Sequence, residues 1–161
     1  MNLPIQPTKD SPLQASGRFG RLSYLAWQAV LFIALILIGF FFALLMPDPN
    51  KESDLKFLTI FIVIFFILYL PVIYTYFTIT IRRLHDLNRS GWWSIIIIIP
   101  LVNLIFYIYL ISVTGNKTPN NYGAPRITPD WEKVFAGMSI FMLCMIFLGL
   151  ISQLFIPMIP Q

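Results

Sequence analysis

The chain has 161 residues, 58% of them hydrophobic and 11% charged, with a net charge of +4. That much apolar surface excludes an ordinary water-soluble globule, and no polar stretch is long enough to fold as a separate soluble domain. The positive charge sits in short segments beside apolar runs, with no long basic tract, which excludes nucleic acid as its reason.

Residues 1–16 carry three prolines and read as a flexible tail. Arg18, Arg21 and Tyr24 follow, a mixture suited to entry at headgroup level with the guanidiniums snorkelling outward. Residues 22–45 then contain no Asp, Glu, Lys, Arg or His. A helix rises ~1.5 Å per residue and the bilayer hydrocarbon is ~30 Å thick, so ~20 such residues cross it. The run is too long for a signal-peptide core and reads as a retained first span.

Three further uncharged runs follow, at 57–81, 92–113 and 134–159. Backbone in lipid has to satisfy its own hydrogen bonds, so each is expected to be helical. The fold class is an all-α, multi-pass membrane helical bundle with four membrane segments. Pro71 is expected to kink the second. Asp130 and Glu132 suit the N-terminus of the last helix. The organisation expected is a tail at 1–16, a membrane domain at 17–126 and an added C-terminal helix within 127–161.

The third run carries Pro100 and Asn103 near its middle. Its length, 22 residues, favours a single Pro-kinked span, with Asn103 as interhelical glue worth ~0.6–2 kcal/mol. Charge favours a rival, a re-entrant hairpin turning at residues 100–103. A single span divides Lys and Arg six against five across the membrane; a hairpin divides them nine against two. We take the single span as the expectation. Either way the arginine-rich face is expected in the cytoplasm, and the N-terminus with it.

The dense polar cluster lies between runs two and three: Arg82, Arg83, His85, Asp86 and Arg89, followed by Trp92 and Trp93. Its plain reading is topogenic. Its sharper reading is a site for anionic lipid headgroups or a partner, because guanidinium forks match phosphate oxygens and indoles settle at the interface. His85 beside Asp86 invites acid–base chemistry, but neighbours on a helix point apart and no nucleophile is tied to them. No catalytic residue and no cofactor is assigned. One histidine and one cysteine, Cys144, give no recognisable metal site. Ion-coupled carriers usually keep ionisable residues inside the membrane, and these runs hold none. The expected partner is the phospholipid bilayer itself, with a small homo-oligomeric channel or transport accessory as the alternative.

Arg82-Arg83-Leu84-His85-Asp86 and Arg89-Ser90-Gly91-Trp92-Trp93 carry a resemblance. With Gly17-Arg18, Arg21 and Tyr24, then Ile99-Pro100-Leu101-Val102, then Gly115, Asn120, Tyr122 and Gly123, the chain resembles the small bacterial inner-membrane proteins grouped as domain of unknown function 805. The likeness covers roughly residues 16–125. Thr118 stands where that family often has glycine, Ala124-Pro125-Arg126 departs from its usual ending, and the last run lies beyond its typical extent. The resemblance implies a bacterial inner-membrane address and no established activity.

Overall fold

A computed structural model of the protein describes residue 11 and residues 13–46 and 55–155. Among these, every regular element is a helix: α1 (Arg21–Leu44), α2 (Leu55–Asp86), a 3-10 helix (Gly91–Ile98), α3 (Val102–Ser112) and α4 (Asp130–Phe155). Most of the proposed tail, most of the loop after run one and the end of run four lie outside the described residues. α1, α2 and α4 are each long and apolar enough to cross a membrane; α3 is not.

α2 runs unbroken through Pro71. Thr75, Thr78 and Thr80 each donate to the carbonyl four residues back, at 2.8, 3.0 and 2.9 Å. Their hydroxyls are thereby satisfied inside the helix. α2 ends in a Schellman cap. Asn88 takes the left-handed conformation, at φ 55°. The Arg89 amide donates to the Leu84 carbonyl (2.8 Å) and the Asn88 amide to that of His85 (3.0 Å).

The single-span reading of residues 92–113 is overturned. The run folds into two antiparallel limbs, the 3-10 helix going in and α3 coming out. Eight residues at ~2.0 Å and eleven at ~1.5 Å both give about 16 Å, half of the ~30 Å hydrocarbon. Neither limb is long enough to span. The turn sits at Ile99-Pro100-Leu101. Pro100 has no N–H to continue a helix, and Leu101, at φ 65° and ψ −48°, is the centre of a γ-turn with positive φ. The Val102 amide donates to the Pro100 carbonyl (2.8 Å) and the Asn103 amide to the Ile99 carbonyl (2.9 Å), so the reversal satisfies much of its own backbone. At the open end, Arg83 of α2 donates to the carbonyls of Leu110 (2.8 Å) and Val113. Both ends of run three therefore lie beside the C-terminus of α2.

The chain crosses on α1, returns on α2, dips in and out through the hairpin, and crosses again on α4. α4 begins beside the start of α1: Trp27 and Trp131 meet edge to face at 5.6 Å, and Ala26 packs with Ala136. The main core lies at this same end, where Phe19, Tyr24, Ile79, Leu84, Phe106 and Leu110 are buried together. Further along, Phe42 of α1 packs on Phe61 and Phe65 of α2, at 4.5 and 5.1 Å. Elsewhere the helices present Ile, Leu and Phe outward, as lipid-facing surface does.

Candidate functional site

The C-terminal turn of α2 places Arg82, Arg83, His85 and Asp86 within five residues, and the folded chain gathers other segments around them. Arg18, which precedes α1, reaches Asp86 Oδ1 with Nε (3.1 Å) and Nη2 (2.9 Å). Its Nη1 donates to the carbonyls of Thr118 (2.9 Å) and Gly123 (3.0 Å), and Nη2 also to that of Asn116. All five guanidinium donors are engaged. From the other side, Arg83 Nη1 donates to Asp86 Oδ2 at 2.7 Å, and its Nε and Nη2 hold the end of α3. Arg18, Arg83 and Asp86 are all buried. One carboxylate thus joins two guanidiniums, and carbonyls cover the remaining positive charge.

Glycine is required at 115 by close approach. A Cβ there would fall on the Asp86 carboxylate. The Asn116 amide donates to the Asp86 carbonyl at 3.0 Å, pinning the loop in place. Beside it the His85 ring stacks on Tyr122 with centroids 3.8 Å apart and planes 6° apart. Asn120 Nδ2 donates to the His85 carbonyl (2.8 Å), and Asn120 and Gly123 exchange backbone hydrogen bonds with Gly123 at φ 112°. The glycine–asparagine–tyrosine–glycine set is therefore a plug shaped to the end of α2.

A second ion pair lies alongside, its carboxylate buried and its guanidinium partly exposed. Arg126 grips Glu132 with two bonds, 2.6 and 2.8 Å, and donates to Ser23 Oγ at 2.8 Å; Trp27 Nε1 donates to Glu132 at 3.0 Å. The Arg82 and Arg126 guanidiniums both lie over the Phe19 ring, at 3.8 and 4.9 Å. Arg82 also donates to the Ser11 carbonyl at 2.9 Å. Sequence reasoning saw Glu132 only as a helix opener. A six-residue separation across a loop gives no periodic signal for the pair.

The expected interfacial residues divide. Arg18 and Tyr24 do not snorkel: both are buried, Arg18 in the clasp and Tyr24 near Tyr107. Arg82 and Arg83 likewise turn inward rather than towards headgroups. Arg21 and Arg89 are exposed, as are Trp92 (84%) and Trp93 (54%). Pro100 is exposed at the hairpin tip. Asn103 is half-buried near Tyr76, a place suited to interhelical glue. Among the described residues, no group of three or more His, Cys, Asp or Glu is placed to hold a metal ion.

A family model described as "Protein of unknown function (DUF805)" matches residues 12–124. These residues include every part of the clasp around Asp86. The inner membrane protein YhaH of Escherichia coli K12 is 31% identical over 55 residues, 34% of this chain and 46% of its own. The inner membrane protein YhaI of the same strain is 33% identical over 55 residues, 34% of this chain and 43% of its own. The chain thus matches less than half the length of these curated relatives. No solved structure matches it.

Proposed function

This chain belongs to the DUF805 family of integral inner-membrane proteins, and from that premise we propose that it acts without catalysis, through contacts its arginine-rich face makes with anionic lipid headgroups. The observation that carries the reading is a division of labour among the cations. Arg18 and Arg83 are bound within the protein, whereas Arg21 and Arg89 stand exposed on the same face, with Trp92 and Trp93 following Arg89. Cations with indoles at the edge of a membrane helix suit phosphate and glycerol depth. The buried residues hold that rim in shape.

The face is cytoplasmic in this reading. With run three re-entrant, it carries nine of the eleven Lys and Arg residues, leaving Lys51 and Lys56 for the opposite side. A non-catalytic role is supported by what the polar pair does: Asp86 is held by two guanidiniums and His85 by a stacked ring. The test is lipid retention. Each exposed cation near an anionic surface contributes ~1 kcal/mol, so Arg21→Ala with Arg89→Ala is expected to lower co-purified anionic lipid more than tenfold. Undiminished anionic lipid in the correctly folded double variant refutes the proposal.

A further inference from the structure

We infer that His85 is the trigger of a proton-sensitive latch, in which a charged ring releases the loop of residues 115–123 from the end of α2. The latch is separate from the headgroup rim, and its tests do not involve lipid retention. His85 is the chain's one histidine, four residues beyond the uncharged run 57–81. An unperturbed imidazole is the side chain that changes charge between about pH 5 and about pH 8. Three segments close on it. The entry segment supplies the Gly17 carbonyl, 3.3 Å from Nδ1. The loop supplies the stacked Tyr122 ring, and Asn120, which donates to the His85 carbonyl. The start of the hairpin supplies Gly91, so close that a Cβ there would lie 3.4 Å from Nε2 and 2.8 Å from Ile81.

This setting suits a neutral ring that donates from Nδ1 to Gly17. A second proton would put an N–H on Nε2, beside Gly91 and Ile81, and among the described residues no acceptor meets it there. The surrounding charges act in the same direction. Arg82, three residues earlier on α2, also lies beside Gly17, since a Cβ on that glycine would fall 3.5 Å from its Nη2. Asp86 offers the ring little compensation, because its carboxylate is shared between Arg18 and Arg83. Lys117 on the loop and Arg89 before the hairpin are exposed cations. Burial holds the His85 pKa below its ordinary value; the Gly17 carbonyl opposes this, and Arg82 adds to it. A closed loop therefore takes up the proton less readily than an open one. The latch holds fully above the ordinary value of ~6.5 and weakens as the pH falls below it. Opening withdraws the Asn116, Thr118 and Gly123 carbonyls from Arg18 and bares part of its guanidinium.

The test takes the full-length protein in nanodiscs with its histidine isotopically labelled, so that NMR reads a single imidazole. The ring should be neutral with its proton on Nδ1 at about pH 7.5, and its titration midpoint should lie below ~6.5. Tyr122→Ala uncovers the ring and should move the midpoint up towards that value. A midpoint at or above ~6.5 in the parent overturns the latch, because attraction between an imidazolium and the Tyr122 face would then be holding the loop closed. Hydrogen exchange, corrected for its intrinsic pH dependence, reads the loop itself. Protection of the Asn116 and Gly123 amides should be lost between about pH 7.5 and about pH 5.5 in the parent. In His85→Gln that protection, whatever its level, should not change with pH. A loss on acidification that persists in His85→Gln assigns the effect to another group and overturns the proposal. Should glutamine open the loop at every pH, the two NMR midpoints decide.

Discussion

Asp86 is the residue on which most of the charged face converges. Replacing it with Asn leaves Arg18 and Arg83 buried with only carbonyl partners. Removing one member of a buried ion pair typically destabilises by ~3–5 kcal/mol, so Asp86→Asn is expected to lower the thermal midpoint in detergent steeply. Arg18→Lys should lower it as well, because a single ammonium cannot serve acceptors spread over Asp86, Asn116, Thr118 and Gly123. Gly115→Ala tests the same contact without altering charge. Its methyl would meet the Asp86 carboxylate, and overpacking of this kind costs about 1–3 kcal/mol. A Gly115→Ala protein as stable as its parent would mean that the loop does not close on Asp86.

The re-entrant hairpin is where element-scale reasoning from sequence divided against itself. Charge asymmetry pointed to the hairpin and length to a span. Length misled because twenty-two apolar residues suffice either for one crossing or for two half-depth limbs, and hydropathy alone does not tell them apart. What decided was local: a proline that ends one limb, a positive-φ residue that turns the chain, and Arg83 waiting at the far end. The turn also yields a prediction. A non-glycine residue held at positive φ in a γ-turn is strained by ~1–3 kcal/mol, and Leu101 is 84% exposed, so it contributes little packing. Leu101→Gly removes that strain while adding ~0.5–1 kcal/mol of unfolded-chain entropy. Calorimetry in detergent should find the variant at least as stable as the parent; a clear loss would contradict the positive-φ turn.

At the scale of the molecule, the folding pattern sets sidedness. Residue 16 precedes α1, and residue 117 follows the hairpin. In a Cys144→Ser background, Ser16→Cys and Lys117→Cys should both react with an impermeant maleimide from the same side of sealed membranes, while a reporter fused beyond α4 falls on the other. Labelling of the two cysteines from opposite sides would restore the single span. The helices and their membrane setting were legible, since uncharged runs of this length admit little else. The composition of the charged cluster was legible in part. Arg82, Arg83, His85 and Asp86 stand together in the chain, and the family resemblance singled out Gly115, Asn120, Tyr122 and Gly123. Their convergence was not legible, because a contact between residue 18 and residue 123 leaves no periodicity behind. Whether an arginine faces water or protein is likewise decided by neighbours that sequence spacing does not name.

The long separation within the clasp has a bearing on biogenesis. Three carbonyls that receive Arg18 lie 98 to 105 residues downstream of it. During synthesis α1 and α2 are made before those carbonyls exist, so Arg18 and Asp86 can pair while the rest of the guanidinium stays hydrated. Covering the clasp is thus a late step, followed by α4, and it can occur only after the hairpin has formed. A nascent polypeptide halted at residue 113 would carry α1, α2 and the hairpin and still present an uncovered clasp, a mark by which a membrane protease could tell an unfinished product from a finished one.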